Sequence, residues 1–331
     1  MSTPIAGKLG ESVLEVSDLR MYYTTSAGEV KAVDDLNFSV RRGEVLGVVG
    51  ESGCGKSSLA LTIMKLLPSN AKILSGRILV KGEDVVPMPD SEVRRKVRWS
   101  EISMIPQGAM NSLNPIFRVG DQIAESILAH SSVSKGDAKK KAAELLALVG
   151  IDPSRVNNYP HEFSGGMKQR AMIAMSLALD PALLIADEPT SALDVVTQRQ
   201  VMETINRVQK AIGAAVILIG HDMGLMAQFV DKVAVMYAGR LVELSSVRDI
   251  FISPLHPYAQ ALISSLPRLE NKGVFQGIPG LAPSLLRLPG GCAFHPRCPR
   301  VMEVCRSVRP ELLPQGDSRS VACHLYSKRP A

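Results

Sequence analysis

Residues Gly50 to Ser58 read GESGCGKSS, and Gly50, Gly55, Lys56 and Ser57 meet the spacing G-x-x-x-x-G-K-[ST] of a phosphate-binding loop. Upstream, Val45, Leu46, Val48 and Val49 form a short apolar run of the kind a buried strand shows. Downstream, KSSLALTIMKLL begins at Lys56 and carries Leu59, Ile63, Leu66 and Leu67 on one side of a helix. In the order strand, glycine-rich loop, helix, backbone amides meet an anion at the favourable end of the helix dipole. Gly50, Gly53 and Gly55 leave room for close approach, Lys56 brings a point charge, and the Ser57 hydroxyl suits magnesium. A chance glycine-rich turn is the competing reading, and the flanking strand and helix weigh against it.

The chain has 331 residues, enough for one large domain or a main domain with an appendage. With 46% hydrophobic and 21% charged residues it reads as globular rather than disordered. No apolar run reaches membrane-spanning length, and MSTPIAGKLGES lacks the pattern of a secretory signal, so a cytosolic chain is expected. From Arg240 onward there are 12 Lys plus Arg against 6 Asp plus Glu, which accounts for the whole net charge of +6. A basic surface of this kind suits anionic lipid or nucleic acid, but 4% aromatic residues do not build a stacking groove, so nucleic acid is not expected as a partner.

Read in order, Val13 to Leu19 and Leu36 to Val40 are expected strands, with Tyr22 and Tyr23 between them. A tyrosine there either stacks on a base or is a half-buried strand residue. Gly76 to Val80 and Ile102 to Pro106 are further strands, and EVRRKVRWS between them reads as a charged helix face flanked by Glu92 and Glu101. Gln107 ends SMIPQ, where its amide can reach a magnesium ion or an attacking water. Gly120 to Ala129 and Lys135 to Leu148 have helical period and suggest an inserted helical subdomain. In FSGGMKQRAMIAMSLAL, Ser164 is placed as an N-cap with Gly165 and Gly166 in the first turn, which makes a second potential anion site. The strand Ala182 to Ala186 ends in Asp187 and Glu188, a carboxylate for magnesium beside one that polarises water. Asp194 starts a helix, and the strand Ala214 to Ile219 ends in Gly220, His221 and Asp222. The carboxyl ends of strands are where open α/β sheets bind ligands, which favours a catalytic His221.

Together these pieces resemble the nucleotide-binding subunit of ATP-binding cassette (ABC) transporters over about residues 12 to 252. GESGCGKSS is similar to the Walker A motif, Gln107 to the Q-loop residue, FSGGM to the signature motif, LLIADEP to Walker B with its glutamate, SALD to the D-loop, and His221 to the switch histidine. The family's commoner signature is LSGGQ; Phe163 and Met167 depart from it while Ser164, Gly165 and Gly166 keep the phosphate-touching positions. FSGGM, NSLNP at Asn111 to Pro115, SPLHPYAQAL at Ser253 to Leu262 and GCAFHPRCP at Gly291 to Pro299 resemble the ATPases of bacterial dipeptide and oligopeptide importers.

The resemblance implies an α/β P-loop NTPase fold with a RecA-like core, an antiparallel β subdomain and a helical subdomain. It places the cassette at 1–252, the helical subdomain at about 108–180 and a small extension at 253–331. ATP and magnesium are the implied cofactors. Loop residues Gly50, Glu51, Ser52, Gly53, Cys54, Gly55, Lys56, Ser57 and Ser58 would bind nucleotide, with Tyr23 under the adenine. Ser57, Gln107 and Asp187 would hold magnesium. Glu188 would be the general base and His221 would contact the γ-phosphate, while Ser164, Gly165, Gly166 and Asp194 would serve a facing cassette's nucleotide. Implied partners are two transmembrane permease subunits, a second and different ATPase chain, and an extracytoplasmic solute-binding protein, at the cytoplasmic face of the membrane. Relatives in the group import nickel, glutathione or oligosaccharides instead of peptides. A soluble ATPase working on nucleic acid or the ribosome and a silent regulatory subunit are the rival readings. No second cassette or long coiled coil supports the first, and the presence of Glu188 and His221 disfavours the second.

Cys292, Cys298, Cys305 and Cys323 cluster in the last forty residues, without the C-x-x-C pairs of zinc ribbons. Four thiolates at irregular spacing are compatible with a [4Fe-4S] cluster, which some of the resembled importer ATPases carry, and that cluster is the expectation. Zinc with His295 or His324, and free thiols, are the alternatives.

Overall fold

A computed structural model describes residues 10–191, 193–266, 277–316 and 318–327. The chain opens with β1 (Ser12–Thr25), β2 (Gly28–Arg41) and β3 (Val45–Val49), then α1 (Lys56–Ile63), β4 (Ala71–Val80), β5 (Glu83–Asp84), α2 (Asp90–Lys96) and β6 (Ile102–Ile105). Helices α3 (Val119–Leu128), α4 (Lys135–Leu148) and α5 (Gly165–Ser176) follow, then β7 (Leu183–Asp187), α6 (Val195–Ile212), β8 (Ala215–Ile219) and α7 (Met223–Met226). The last part holds β9 (Lys232–Tyr237), β10 (Arg240–Ser246), α8 (Val247–Ile252), α9 (Pro257–Ser264), α10 (Val304–Ser307), β11 (Leu313–Pro314) and β12 (Ser320–Val321).

Two compact units emerge, the first from 1–15, 39–45 and 78–219, the second from 16–38, 46–77 and 220–331. In the first unit β6, β7 and β8 run parallel, with Ile105 opposite Ala186 and Asp187 opposite Ile219. Every residue of β7 and β8 is buried, as expected of parallel strands covered on both faces. The apolar runs of β6 and β7 therefore deliver the residues that follow them, Gln107 and Glu188, to one end of the sheet. Helices α3 and α4 pack on each other and on α5, around buried Ile123, Ile127, Leu145, Leu146 and Phe163.

In the second unit β3 pairs parallel with β9, and β9 antiparallel with β10 across a register shift at Leu241/Glu243. The C-terminal segment adds to that edge: β12 pairs with β10, with Val321 opposite Glu243, and β11 pairs with β12. Strands β2, β1 and β4 lie side by side in that order.

Most expected elements form with small shifts, and two differ for physical reasons. The helix from Lys56 stops at Ile63 instead of reaching Leu67; Lys65 takes φ 49° and Leu66 is 44% exposed. Pro68 disfavours helical backbone at the residue before it, which shortens the helix. Strands β1 and β2 extend to 14 residues each because pairing carries through polar positions, with Asp18 and Asp35 at positive φ breaking the alternation. The charged helix face reads as expected, with Lys96 pairing Glu92 one turn away at 2.6 Å and Arg98 pairing Asp90 at 2.7 Å.

Candidate active site

In the second unit the glycine-rich loop joins buried β3 to α1. Gly50 and Gly55 both have positive φ, 154° and 108°. A Cβ at Gly50 would overlap the Met236 carbonyl oxygen, and one at Gly55 the Ala32 carbonyl oxygen, so neither position admits a side chain. Lys56 is buried, and its ammonium donates to the carbonyls of Gly50 at 2.7 Å and Glu51 at 3.1 Å. The lysine thus folds back along its own loop, which holds a positive charge under the turn. Ser52 and Gly53 are exposed at the crown, while Cys54 is buried and burial pushes its thiol up.

The two tyrosines that the sequence leaves open are separated by the structure. Tyr22 donates to Asp34 at 2.7 Å, inside a group in which Arg240 at 3.0 Å and Arg309 at 3.2 Å also reach that buried carboxylate. Burial opposes ionisation of Asp34, but the Tyr22 hydroxyl and the Arg240 charge outweigh it and leave its carboxyl below the usual range. Burial and the same hydrogen bond push the Tyr22 phenol up to about 12. Tyr23 donates instead to the Ser58 hydroxyl at 3.1 Å, next to Ser57.

In the first unit Asp187 closes β7 and is 3% exposed. Glu188 follows with φ 47°, a strained conformation for a non-glycine residue, fixed by its amide donating to the Ile219 carbonyl at 2.9 Å. Its carboxylate accepts the Gln107 side-chain amide at 2.9 Å. The register of β6, β7 and β8 therefore brings together two residues that lie 81 positions apart. No side chain caps the start of α1, whereas α5 has such a cap: the Ser164 hydroxyl accepts the Met167 amide at 3.3 Å, with Ser164 and Gly165 exposed at the start of a helix of 12 residues. A Cβ at Gly166 would lie 2.7 Å from Thr197 of α6, which accounts for the second glycine. Asp194 caps α6, accepting the amides of Val196 and Thr197 and the Thr197 hydroxyl; those hydrogen bonds, Thr197's first, hold its carboxyl below the usual range. In the second unit His221 is exposed, one residue before Asp222, whose side chain caps α7.

The expected [4Fe-4S] cluster is corrected. Among the described residues no group of three or more His, Cys, Asp or Glu side chains is placed to hold a metal ion. Cys292, Cys298, Cys305 and Cys323 do line one space, with Met302 and Leu325, but its volume is about 10 Å³, no more than one water takes. All four are free cysteines. Burial pushes the thiols of Cys292 and Cys298 up, and that of Cys323 up to about 11, which favours neutral thiols over the thiolates a cluster needs.

Sequence reasoning missed two residues of the C-terminal segment. Arg297 forms a two-pronged pair with Glu51, at 2.6 and 2.9 Å, and the Tyr258 hydroxyl accepts the Glu51 amide at 2.8 Å. Both belong to quoted stretches, HPYAQAL and FHPRCP, whose proximity to the loop no local pattern reveals.

Comparison with known proteins matches residues 33–191 to the family model "ABC transporter" and residues 242–305 to "Oligopeptide/dipeptide transporter, C-terminal region". The oligopeptide transport ATP-binding protein OppD of Escherichia coli is 47% identical over 93% of this chain and 92% of its own length. The dipeptide transport ATP-binding protein DppD of Bacillus subtilis is 47% identical over 96% of each chain. Among solved structures, cbiO1 of Clostridium perfringens, part of an ABC transporter complex, superposes with TM-score 0.64 at 27% identity, covering 73% of this chain and 92% of that one. The ATP-binding cassette MJ0796 superposes with TM-score 0.63 at 24% identity over 71% and 99%, a likeness of fold. The chain, which carries a glycine-rich loop over a buried lysine, a buried strand closed by Asp187 with Glu188 after it, and a helix opened by Ser164 and two glycines, belongs to the ABC transporter family, as an ATPase subunit of the oligopeptide/dipeptide type.

Proposed function

We propose that this chain hydrolyses ATP to power a bacterial importer of dipeptides and oligopeptides through transmembrane partners. The observation that carries the reading is 47% identity, sustained over 93% of the chain, to an oligopeptide transport ATP-binding protein. Cassette motifs alone would leave the cargo open; identity that runs through the C-terminal region narrows it to peptides.

Each named residue takes a role its chemistry fits. Lys56 holds the outer phosphates, Tyr23 stacks on the adenine, and the amides and side chains of Gly50 to Ser58 line the phosphates. Ser57, Asp187 and Gln107 supply oxygen donors, which fit magnesium; when bound, that ion neutralises charge developing on the transferred phosphoryl group. Glu188 accepts a proton from the attacking water, and His221 donates to the γ-phosphate. In the described structure Gln107 holds the Glu188 carboxylate through its amide, so that base is oriented before nucleotide arrives. Ser164, Gly165, Gly166 and Asp194 serve the nucleotide of a second cassette, a different ATPase chain in a heterodimer. ATP closes that dimer, hydrolysis reopens it, and the movement passes to two permease subunits near Gln107 and the helical subdomain at about 108–180. The cassette spans 1–252 and the extension 253–331. Among the described residues no helix is long and apolar enough to cross a membrane. In this reading the chain sits at the cytoplasmic face of the bacterial membrane on the permeases, with a solute-binding protein on the other side.

Co-purification of the tagged chain from native membranes in mild detergent tests this reading. Two permease subunits, a second ATPase and a solute-binding protein retaining peptide are expected. A binding protein that retains metal or sugar, or a preparation with ribosomes and no permease, contradicts it.

A further inference from the structure

The loop residue Glu51 is gripped twice from the C-terminal segment, once at its backbone and once at its carboxylate. At the backbone, its amide donates to the Tyr258 hydroxyl at 2.8 Å. Tyr258 is fully buried in α9, and its ring packs on Tyr237 at 4.6 Å and on Phe294 at 5.4 Å between centroids. At the side chain, the two carboxylate oxygens accept from both terminal nitrogens of Arg297. That guanidinium is saturated: Nε donates to the Pro279 carbonyl at 2.8 Å, Nη1 also to the Tyr237 hydroxyl at 3.3 Å, and Nη2 also to the Ile278 carbonyl at 3.3 Å. Five N–H groups meet five acceptor contacts, and a fork of this shape is open to arginine and not to lysine.

Only loop geometry gives this pairing a purpose. Gly50, Gly53 and Gly55 make the turn entropically costly to order, since glycine loses the most conformational freedom when it is fixed. The buried Cys54 and Lys56 anchor the far end of the loop. At the near end Glu51 is the first residue with a side chain to hold, and among the described residues Tyr258 and Arg297 hold it from outside the loop. The arginine side chain is 5% exposed and the glutamate side chain 28%, which places the pair where water screens it weakly.

We propose that Arg297 and Tyr258 are positioning residues for ATP binding: the C-terminal segment clamps Glu51 and thereby preorganises the phosphate loop. The inference rests on the reading of residues 50 to 58 as the phosphate site. A loop ordered in advance loses less binding energy to its own immobilisation, so the clamp acts on nucleotide affinity and leaves the chemical step to Glu188.

The test compares ATP KM, kcat and thermal unfolding across substitutions in the full-length chain. Arg297→Ala is expected to raise KM about tenfold with kcat within about twofold, the size of a lost charge-assisted hydrogen-bond pair. Arg297→Lys is expected to restore little of it. Glu51→Gln, which keeps the loop's shape and one acceptor, provides an intermediate rise even where Arg297→Ala unfolds. The double substitution Glu51→Gln/Arg297→Ala is expected to be less than additive. Arg319→Ala serves as the control: Arg319 ties the same segment to β10 through Glu243 at 3.5 Å and the Ser253 carbonyl at 2.6 Å, away from the loop. It is expected to lower the melting temperature without moving KM. An unchanged KM in folded Arg297→Ala and Glu51→Gln, or an equal rise in Arg319→Ala, overturns the clamp. Lys56→Ala separates the two readings: ATP binding that survives it refutes the phosphate site itself, whereas binding lost there but untouched at Arg297 refutes the clamp alone.

Discussion

At Gly55 the backbone sits at φ 108° with the Ala32 carbonyl oxygen where a Cβ would go, whereas at Gly53, φ 77°, nothing lies within 4 Å of that position. The two glycines of one motif therefore differ in what they tolerate. Gly53→Ala meets only the strain of left-handed backbone and is expected to cost about 1 kcal/mol. Gly55→Ala adds a clash with rigid backbone and is expected to cost roughly 3 kcal/mol or more, with ATP binding lost. Urea unfolding midpoints of the two variants check this, and equal shifts would contradict it. The sequence shows both glycines and cannot rank them, because the Ala32 carbonyl comes from a distant part of the chain. The same limit applies to Tyr22 and Tyr23: both read as candidates for base stacking, and only the structure commits Tyr22 to Asp34 and leaves Tyr23 beside Ser58.

Among the elements, α9 shows how the C-terminal segment is attached. Its start is capped by His256, whose Nδ1 accepts the Tyr258 amide at 3.0 Å, while the fully buried Glu243 of β10 accepts the amides of Leu255 and His256. Complete burial lowers the imidazole pKa of His256 to about 3 from the ordinary 6.5. Between those values the unfolded chain binds a proton that the folded chain refuses. The histidine's contribution is therefore complete above pH 6.5 and is lost as pH falls toward 3. His256→Asn, whose amide oxygen takes over the cap, is expected to flatten the decline in melting temperature between about pH 7 and pH 5, the upper part of that window. An unaltered slope would show that His256 does not carry it. The cysteines of the same segment illustrate the opposite lesson. Their clustering in sequence reads as a metal site, but packing closes the space among them to about 10 Å³ and burial pushes the thiols of Cys292, Cys298 and Cys323 up, which spacing alone does not reveal.

For the molecule as a whole, the cassette was readable because its motifs are local: strand, loop and helix around Gly50 to Ser58, an apolar strand into Asp187 and Glu188, and a serine-capped helix at Ser164 all sit within short windows. Less readable were contacts of long sequence separation. The addition of β12 to β10 and the reach of Arg297 across 246 positions to Glu51 depend on tertiary pairing, for which local pattern holds no signal. Gln107 lies between these cases. Its place at a strand end is local, while its hydrogen bond to Glu188 follows from strand register. The central claim, that this chain turns over ATP with Glu188 as the base, is tested most directly by Glu188→Gln, measured for ATP affinity and for hydrolysis in one preparation. Affinity within about threefold of the parent chain and turnover reduced at least about 100-fold are expected, the scale of a lost general base. Full hydrolysis by the variant would contradict the account.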